Sequence, residues 1–216
     1  MTVGCGYPDL VPRADPFILA SGSAARLRVL QDAGIDPVVV VSGVDERCEA
    51  GLDTATTVAV LAERKASAVA VLHPAGLVLG CDSLLELDHV ALGKPGSARE
   101  AAGMWQRLAG REATLYTGHC LIDARSGRSV HGVAAAVIRF GTPDPDEIAA
   151  YIASEEPLAL AGAFSVEGRG GPFVDRIDGH PSTVMGLSLP LLRRLLADLG
   201  IAITDLWRAP GVSPCR

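Results

Sequence analysis
The stretch Gly80–Gly118, GCDSLLELDHVALGKPGSAREAAGMWQRLAGREATLYTG, constrains the fold more than any other part of the chain. An apolar run, Ala75–Leu79, predicts a buried strand ending at Gly80-Cys81-Asp82. A carboxylate then stands at the C-terminal end of a strand, where open α/β sheets bind ligands. Ser83–Leu87 and Val90–Gly93 predict two more strands, joined around Asp88-His89. With a two- or three-residue loop they form a tight hairpin. That hairpin returns Lys94 beside Asp82 and Ser83, so a base or metal ligand sits next to a fixed cation. Ser97-Ala98-Arg99-Glu100 has the form of a capping box and starts a helix. Ala101, Met104, Trp105 and Leu108 are its buried face, and Gly110 ends it.

Upstream, Phe17–Ala20 predicts a first strand, followed by Ser21-Gly22-Ser23 and a helix from Ala24 to Ala33. A small-residue loop between strand and helix is ordinarily just a turn. It also aims backbone N–H groups at an anion. Arg26 falls in the first helical turn, where a cation opposes the helix dipole. It therefore needs a local partner, and a phosphate is one candidate. Pro37–Val41 predicts a second buried strand. Asp45 and Glu46 follow it, either as a polar loop or as a metal ligand or base partner for Asp82. Thr54–Leu72 predicts a long helix whose apolar stripe, Val58, Ala62 and Val69, also carries Lys65. That lysine either snorkels or reaches into a cleft.

Downstream, Ala113–Asp123 and Ser129–Phe140 predict strands in a sheet covered on both faces. Asp144-Pro145 starts a helix to Ser154. Ala161–Gly171 predicts a glycine-rich loop close to a ligand, Pro172–Ile177 a short strand, Asp178–Pro181 a turn, and Leu189–Leu199 the last helix. Residues 1–16 and 208–216 are expected to be loose tails around one domain, 17–207.

Several function classes are excluded at this level. A formal charge of -6 argues against a general nucleic-acid binder, though not against a small polyanion. No apolar run is long enough to span a bilayer, and residues 1–16 have no signal-peptide core. The five cysteines are scattered and odd in number, which fits reduced thiols in the cytoplasm. No GxxxxGK[ST], GxSxG or HExxH pattern occurs.

The ordered set of motifs resembles the Maf family of nucleoside triphosphate pyrophosphatases. Its carriers are Leu19–Ser23, Val44-Asp45-Glu46, Leu61–Ala66, Gly80–Ser83, Leu92–Pro95 and Tyr116-Thr117-Gly118. Glu156-Pro157, Ala161–Phe164 and Gly186-Leu187 extend the match over most of the chain. The resemblance implies an α/β fold, a long mixed sheet with flanking helices and two lobes around a central cleft. It implies a cytoplasmic homodimer that uses Mg²⁺ or Mn²⁺ and converts a nucleoside triphosphate, in a house-cleaning role, to the monophosphate and diphosphate. By the same resemblance Asp82 is the proton acceptor, and Glu46, Lys65 and Lys94 are the other polar cleft residues. Ser21, Ser23 and Arg26 match the phosphate loop, and Glu46 with Asp82 would hold the metal.

The chain also departs from that pattern. Where the family reads SxSPRR, Ala24 and Ala25 replace the proline and the first arginine, the latter linked to pyrimidine choice. Ser83 stands for a threonine, Glu167 for a glutamine and Leu160 for a lysine. Ala25, Ser83 and Glu167 are thus the candidate base-selecting positions, and Glu167 suits a guanine edge. A nucleotide-binding regulator of cell division without turnover is the alternative to catalysis.

Overall fold
The computed structural model describes residues 15–47 and 51–208. Its framework is a seven-stranded sheet of order β2-β1-β3-β5-β6-β7, with β4 paired to β3. The strands are β1 (Phe17–Leu19), β2 (Val38–Val39), β3 (Leu77–Leu87), β4 (Val90–Leu92), β5 (Glu112–Asp123), β6 (Arg128–Phe140) and β7 (Val174–Asp178). The helices are α1 (Ala24–Asp32), α2 (Thr54–Ala70), α3 (Ala98–Leu108), α4 (Pro145–Ala153), α5 (Pro181–Val184) and α6 (Leu189–Asp198). β1 runs parallel to β2 and β3, and the remaining pairs are antiparallel. This is the mixed α/β architecture expected from the motifs.

Two strands differ from expectation. β3 does not stop at Gly80. It pairs with β5 without a break from Leu77 to Glu86, so Asp82 lies mid-strand, opposite Gly118. Gly80 and Gly118 serve packing rather than termination. A Cβ on Gly80 would stand 2.2 Å from the Ala62 carbonyl oxygen, and one on Gly118 would stand 2.2 Å from that of Val58. The backbone of α2 therefore lies directly on β3 and β5. The second difference is β2, a two-residue edge strand with Val38 49% and Val39 43% exposed, not a buried one. Among the described residues its single strand neighbour is β1.

The β3–β4 hairpin is the expected tight one. Asp88 and His89 both take positive φ, 52° and 60°, as a two-residue type I′ loop requires. β1 and β4 pair the same edge of β3, at Leu77–Leu79 and at Leu85–Leu87. Between them, among the described residues, that edge has no strand partner. The sheet is notched there, at buried Asp82 and half-buried Ser83.

Alternation along β3 divides the core. Leu77, Leu79 and Cys81 pack with α1 and α6, whereas Leu85 and Leu87 pack with Trp105 of α3 and Tyr151 of α4. Both clusters lie on one face and part at Ser83. Val78 packs on the other face with Ala62, Ala66 and Val69 of α2. Aromatic edges close the second cluster, with Trp105 against Phe140, Tyr151 and Phe173 at 5.6–5.9 Å. Its indole N–H donates to the Ala163 carbonyl at 2.8 Å.

Caps start the helices, at Ser97 and Asp144 as expected and at Asp53 in addition. Asp53 accepts from Thr56 at the head of α2, and Asp144 and Glu147 form a capping box on α4. At α3 the Ser97 hydroxyl caps Glu100, but the Glu100 carboxylate reaches back to the Gly96 N–H at 2.6 Å. Of the two long strands, β5 is covered on both faces, whereas β6 alternates, with Val133 and Val137 exposed. The 161–171 segment forms 3₁₀ turns whose glycines approach protein: Gly162 meets Leu85, and Gly170 meets Tyr151 and Ser165. Pro172 belongs to the last of these turns, so β7 begins at Val174. The 178–181 turn continues into the short α5.

Of the two tails, residues 1–14 and 209–216 lie outside the described residues. Asp15 pairs with Arg125, and the Arg208 N–H donates to the Gly34 carbonyl at 2.8 Å, so both described ends are tied down. No helix among the described residues is long and apolar enough to cross a membrane.

Candidate active site
Lys65 is the pivot. Position 65 falls on the buried stripe of α2 with Val58, Leu61, Ala62, Ala66 and Val69. The close approach at Gly80 and Gly118 lowers that stripe onto the sheet beside Asp82. The Lys65 ammonium donates to Asp82 Oδ1 at 2.6 Å and pairs with Glu46 Oε1 at 2.7 Å. Its side chain is 9% exposed and that of Asp82 10%, so one buried cation joins two carboxylates. A buried lysine is retained only when paired in this way. The lysine is directed into the cleft, not snorkelling.

Glu46 sits at the mouth, 56% exposed. Its hydrogen bond from Lys65 holds its carboxyl below the ordinary range, helped by the charges of Lys65, Lys94 and Arg26. Lys94 follows β4 and is exposed, and its charge is felt at Glu46. Asp45 turns away and binds Arg47, with Nη2 and Oδ2 2.7 Å apart. Of the two expected carboxylates, only Glu46 joins the cluster.

On the other face of β3 the Ser21–Ser23 loop meets Ser83. Ser23 caps α1, accepting from the Arg26 N–H at 3.4 Å. The Arg26 guanidinium donates to Ser21 Oγ at 3.0 Å, Ser83 Oγ at 3.2 Å and the Gly186 carbonyl at 2.8 Å. These protein acceptors supply the local partner that a cation in the first turn needs, so no phosphate is required to hold it. Hydrogen counting orders the next bonds. Thr117 Oγ1 donates its one hydrogen to the Thr183 carbonyl at 3.0 Å. Ser83 must then donate to Thr117 across 3.0 Å, and it accepts from Arg26. Asp82 and Ser83 lie on opposite faces by strand alternation, both at the notch in the sheet. Ala25 is half-buried on α1, and Glu167 pairs with Arg28 at 3.0 Å.

Sequence reasoning missed His119. It is fully buried, its Nδ1–H donates to the Thr117 carbonyl at 3.1 Å, and Nε2 accepts from the Ser188 N–H at 2.8 Å. Both nitrogens are used only in the neutral form, and burial lowers the pKa to about 4. The lone apolar neighbourhood of β5 gave no spacing signal for it. The unfolded chain takes up this proton near the ordinary value of 6.5, while the folded one refuses it down to about 4. Stability is therefore expected to fall as pH drops through that window, by about 3 kcal/mol from this group alone. Denaturant midpoints measured from pH 7 to pH 4 check this, and His119→Gln should remove that part of the slope. An equal slope in the variant would assign the effect elsewhere.

Cys81 and Cys120 are buried free thiols, both pushed up to about 12 by burial. They are poor nucleophiles. Among the described residues no group of three or more His, Cys, Asp or Glu side chains is placed to enclose a metal. Glu46 and Asp82 nonetheless share one cation, each through a single oxygen. Hard oxygen donors of that number suit Mg²⁺ or Mn²⁺, which take their other ligands from water and phosphate.

A notched mixed sheet beside a helix start, with Glu46 and Asp82 paired to Lys65 and with Arg26 bonded to Ser83, gives an α/β protein with a concentrated cluster of charge. Residues 16–199 match the family model described as Maf-like protein, and the chain belongs to that family. It is 56% identical over 194 residues to the nucleoside triphosphate pyrophosphatase of Streptomyces coelicolor, covering 88% of this chain and 94% of that protein. Proteins of the same name from Mycobacterium sp. (strain JLS) and Gloeothece citriformis are 48% and 47% identical, covering 88% and 89% of this chain and 97% and 98% of theirs.

Proposed function
We propose that the chain hydrolyses a nucleoside triphosphate, with a preference for a guanine-type base, to the monophosphate and diphosphate. What supports this reading most is the Lys65 ammonium shared by Glu46 and Asp82 beside the serine-lined start of α1. The names of its relatives point the same way.

In this reading the Ser21–Ser23 loop and the first N–H groups of α1 receive phosphate oxygens. Arg26, Lys65 and Lys94 balance their charge, so catalysis is mostly positioning and electrostatics. Lys65 fixes one oxygen of Asp82, leaving the other to take a proton from water. The water oxygen bonds to the α-phosphorus, the bond from that phosphorus to the bridging oxygen breaks, and diphosphate leaves with the electron pair. Glu46 and Asp82 would hold a divalent ion, which when bound neutralises phosphate charge and polarises the phosphoryl oxygens. Ala25, Ser83 and Glu167 shape the base end.

The test is diphosphate release over GTP, 7-methyl-GTP, ATP, UTP, CTP and dTTP, with Mg²⁺, with Mn²⁺ and with chelator. The expected result is metal-dependent release that is fastest with guanine-type bases. Binding without release would favour the regulator, and pyrimidine preference would overturn the base assignment.

A further inference from the structure
Ala163 has an unusual backbone. Its φ is 58°, in the left-handed region, and Gly162 before it takes 70°. Glycine enters that region freely, but alanine stays there only where its surroundings hold it. The indole N–H of Trp105, fully buried on α3, donates to the Ala163 carbonyl at 2.8 Å. The Ala163 N–H donates to the Leu160 carbonyl at 3.0 Å, and the Gly162 N–H donates to the Gly93 carbonyl at 2.9 Å. A Cβ on Gly162 would overlap Leu85, so this turn lies against β3 where β4 pairs with it. Gly93 immediately precedes Lys94. The β4 ladder ends at Leu92, opposite Leu85, and its antiparallel direction carries the chain on from there toward the notch. Leu92 and Pro95 are buried, and Lys94 between them is exposed.

We infer that Trp105 is a positioning residue for Lys94: its indole N–H holds the Gly162-Ala163 turn, and that turn fixes the Gly93-Lys94 backbone beside the notch. The inference rests on the pyrophosphatase reading, in which Lys94 balances phosphate charge. A lysine ammonium is a point charge on a flexible stem, so its reach depends on where its backbone stands. The charge of Lys94 is felt at Glu46, so moving that backbone moves a cation of the cluster. Without the indole N–H the Ala163 carbonyl is buried with no donor from Trp105, and the left-handed turn loses one of its ties. Trp105 also packs edge-on against Phe140, Tyr151 and Phe173, which is a purely structural role. The two roles differ in one respect: a structural loss falls on the enzyme whether or not Lys94 is present, whereas a positioning loss needs Lys94.

The experiment is a double-mutant cycle on kcat/KM for diphosphate release, with Trp105→Phe and Lys94→Ala made singly and together. Phenylalanine keeps a ring in the aromatic cluster and removes the donor. Ala163→Gly goes through the same cycle and decides the matter if Trp105→Phe does not fold, because glycine takes the left-handed conformation without strain but is not confined to it. Affinities for the α,β-methylene analogues of GTP and UTP, which resist cleavage at that position, are measured by calorimetry in parallel. Trp105→Phe is expected to lower kcat/KM by about 10- to 100-fold where Lys94 is intact, the scale of a small misplacement. Where Lys94 is alanine, it is expected to change kcat/KM by less than about twofold. Ala163→Gly should show the same dependence on Lys94. Equal losses in both backgrounds, or no loss with Lys94 intact, overturn the inference and leave Trp105 a core residue. Absence of release from every triphosphate in wild type would instead sink the pyrophosphatase reading. The analogue affinities would then still decide Trp105, by falling only where Lys94 is present or by failing to do so.

Discussion
Asp82→Asn is expected to slow diphosphate release by about 10²–10⁴-fold, the usual contribution of a positioned base, with the fold intact. The amide matches the carboxylate in shape, and its carbonyl oxygen can still accept from Lys65. The lysine also keeps Glu46 at 2.7 Å, so no buried charge is stranded. Loss of the proton acceptor is then the main change. Turnover is measured by diphosphate release and integrity by thermal melting. Turnover near the wild-type value, with an unchanged melt, would remove Asp82 from the chemistry.

The largest structural effect is expected at the two glycines under α2. A methyl group at Gly80 or Gly118 would overlap backbone atoms, 2.2 Å from Ala62 O or Val58 O, not the yielding tip of a side chain. Overpacking that only backbone movement relieves should cost about 3 kcal/mol or more. For a domain of this size that lowers Tm by roughly 10 °C. Raising α2 also lifts Lys65 from Asp82, so activity should fall further than stability explains. Gly103 in α3 is the control, because a Cβ there meets nothing within 4 Å. Gly103→Ala should be neutral or slightly stabilising. Gly118→Ala with an unchanged Tm would show that α2 is not seated by these contacts.

Much of this molecule was legible from residue pattern. Apolar runs, caps and the Asp88-His89 turn gave most elements, and the anomalous Lys65 on an apolar stripe pointed to the charged cluster it forms with Glu46 and Asp82. What escaped has physical causes. Gly80 looked like a strand end because a glycine between apolar and polar segments usually ends a strand. Here it admits a helix backbone, which only tertiary packing reveals. Val38–Val39 looked buried because composition does not tell an edge strand from a central one. The partners of Arg26 lie 57 and 160 residues away, at Ser83 and Gly186, beyond any local window. Arg28 and Glu167 are separated by 139 residues and were silent as a pair for the same reason.

The hydroxyl chain from Arg26 to Thr183 gives Ser83 a fixed polarity. Its only hydrogen is committed to Thr117 and one lone pair to Arg26, so what it offers an incoming molecule is the remaining lone pair. An oxyanion finds repulsion at that point, whereas an amine, imide or sugar hydroxyl finds a welcome.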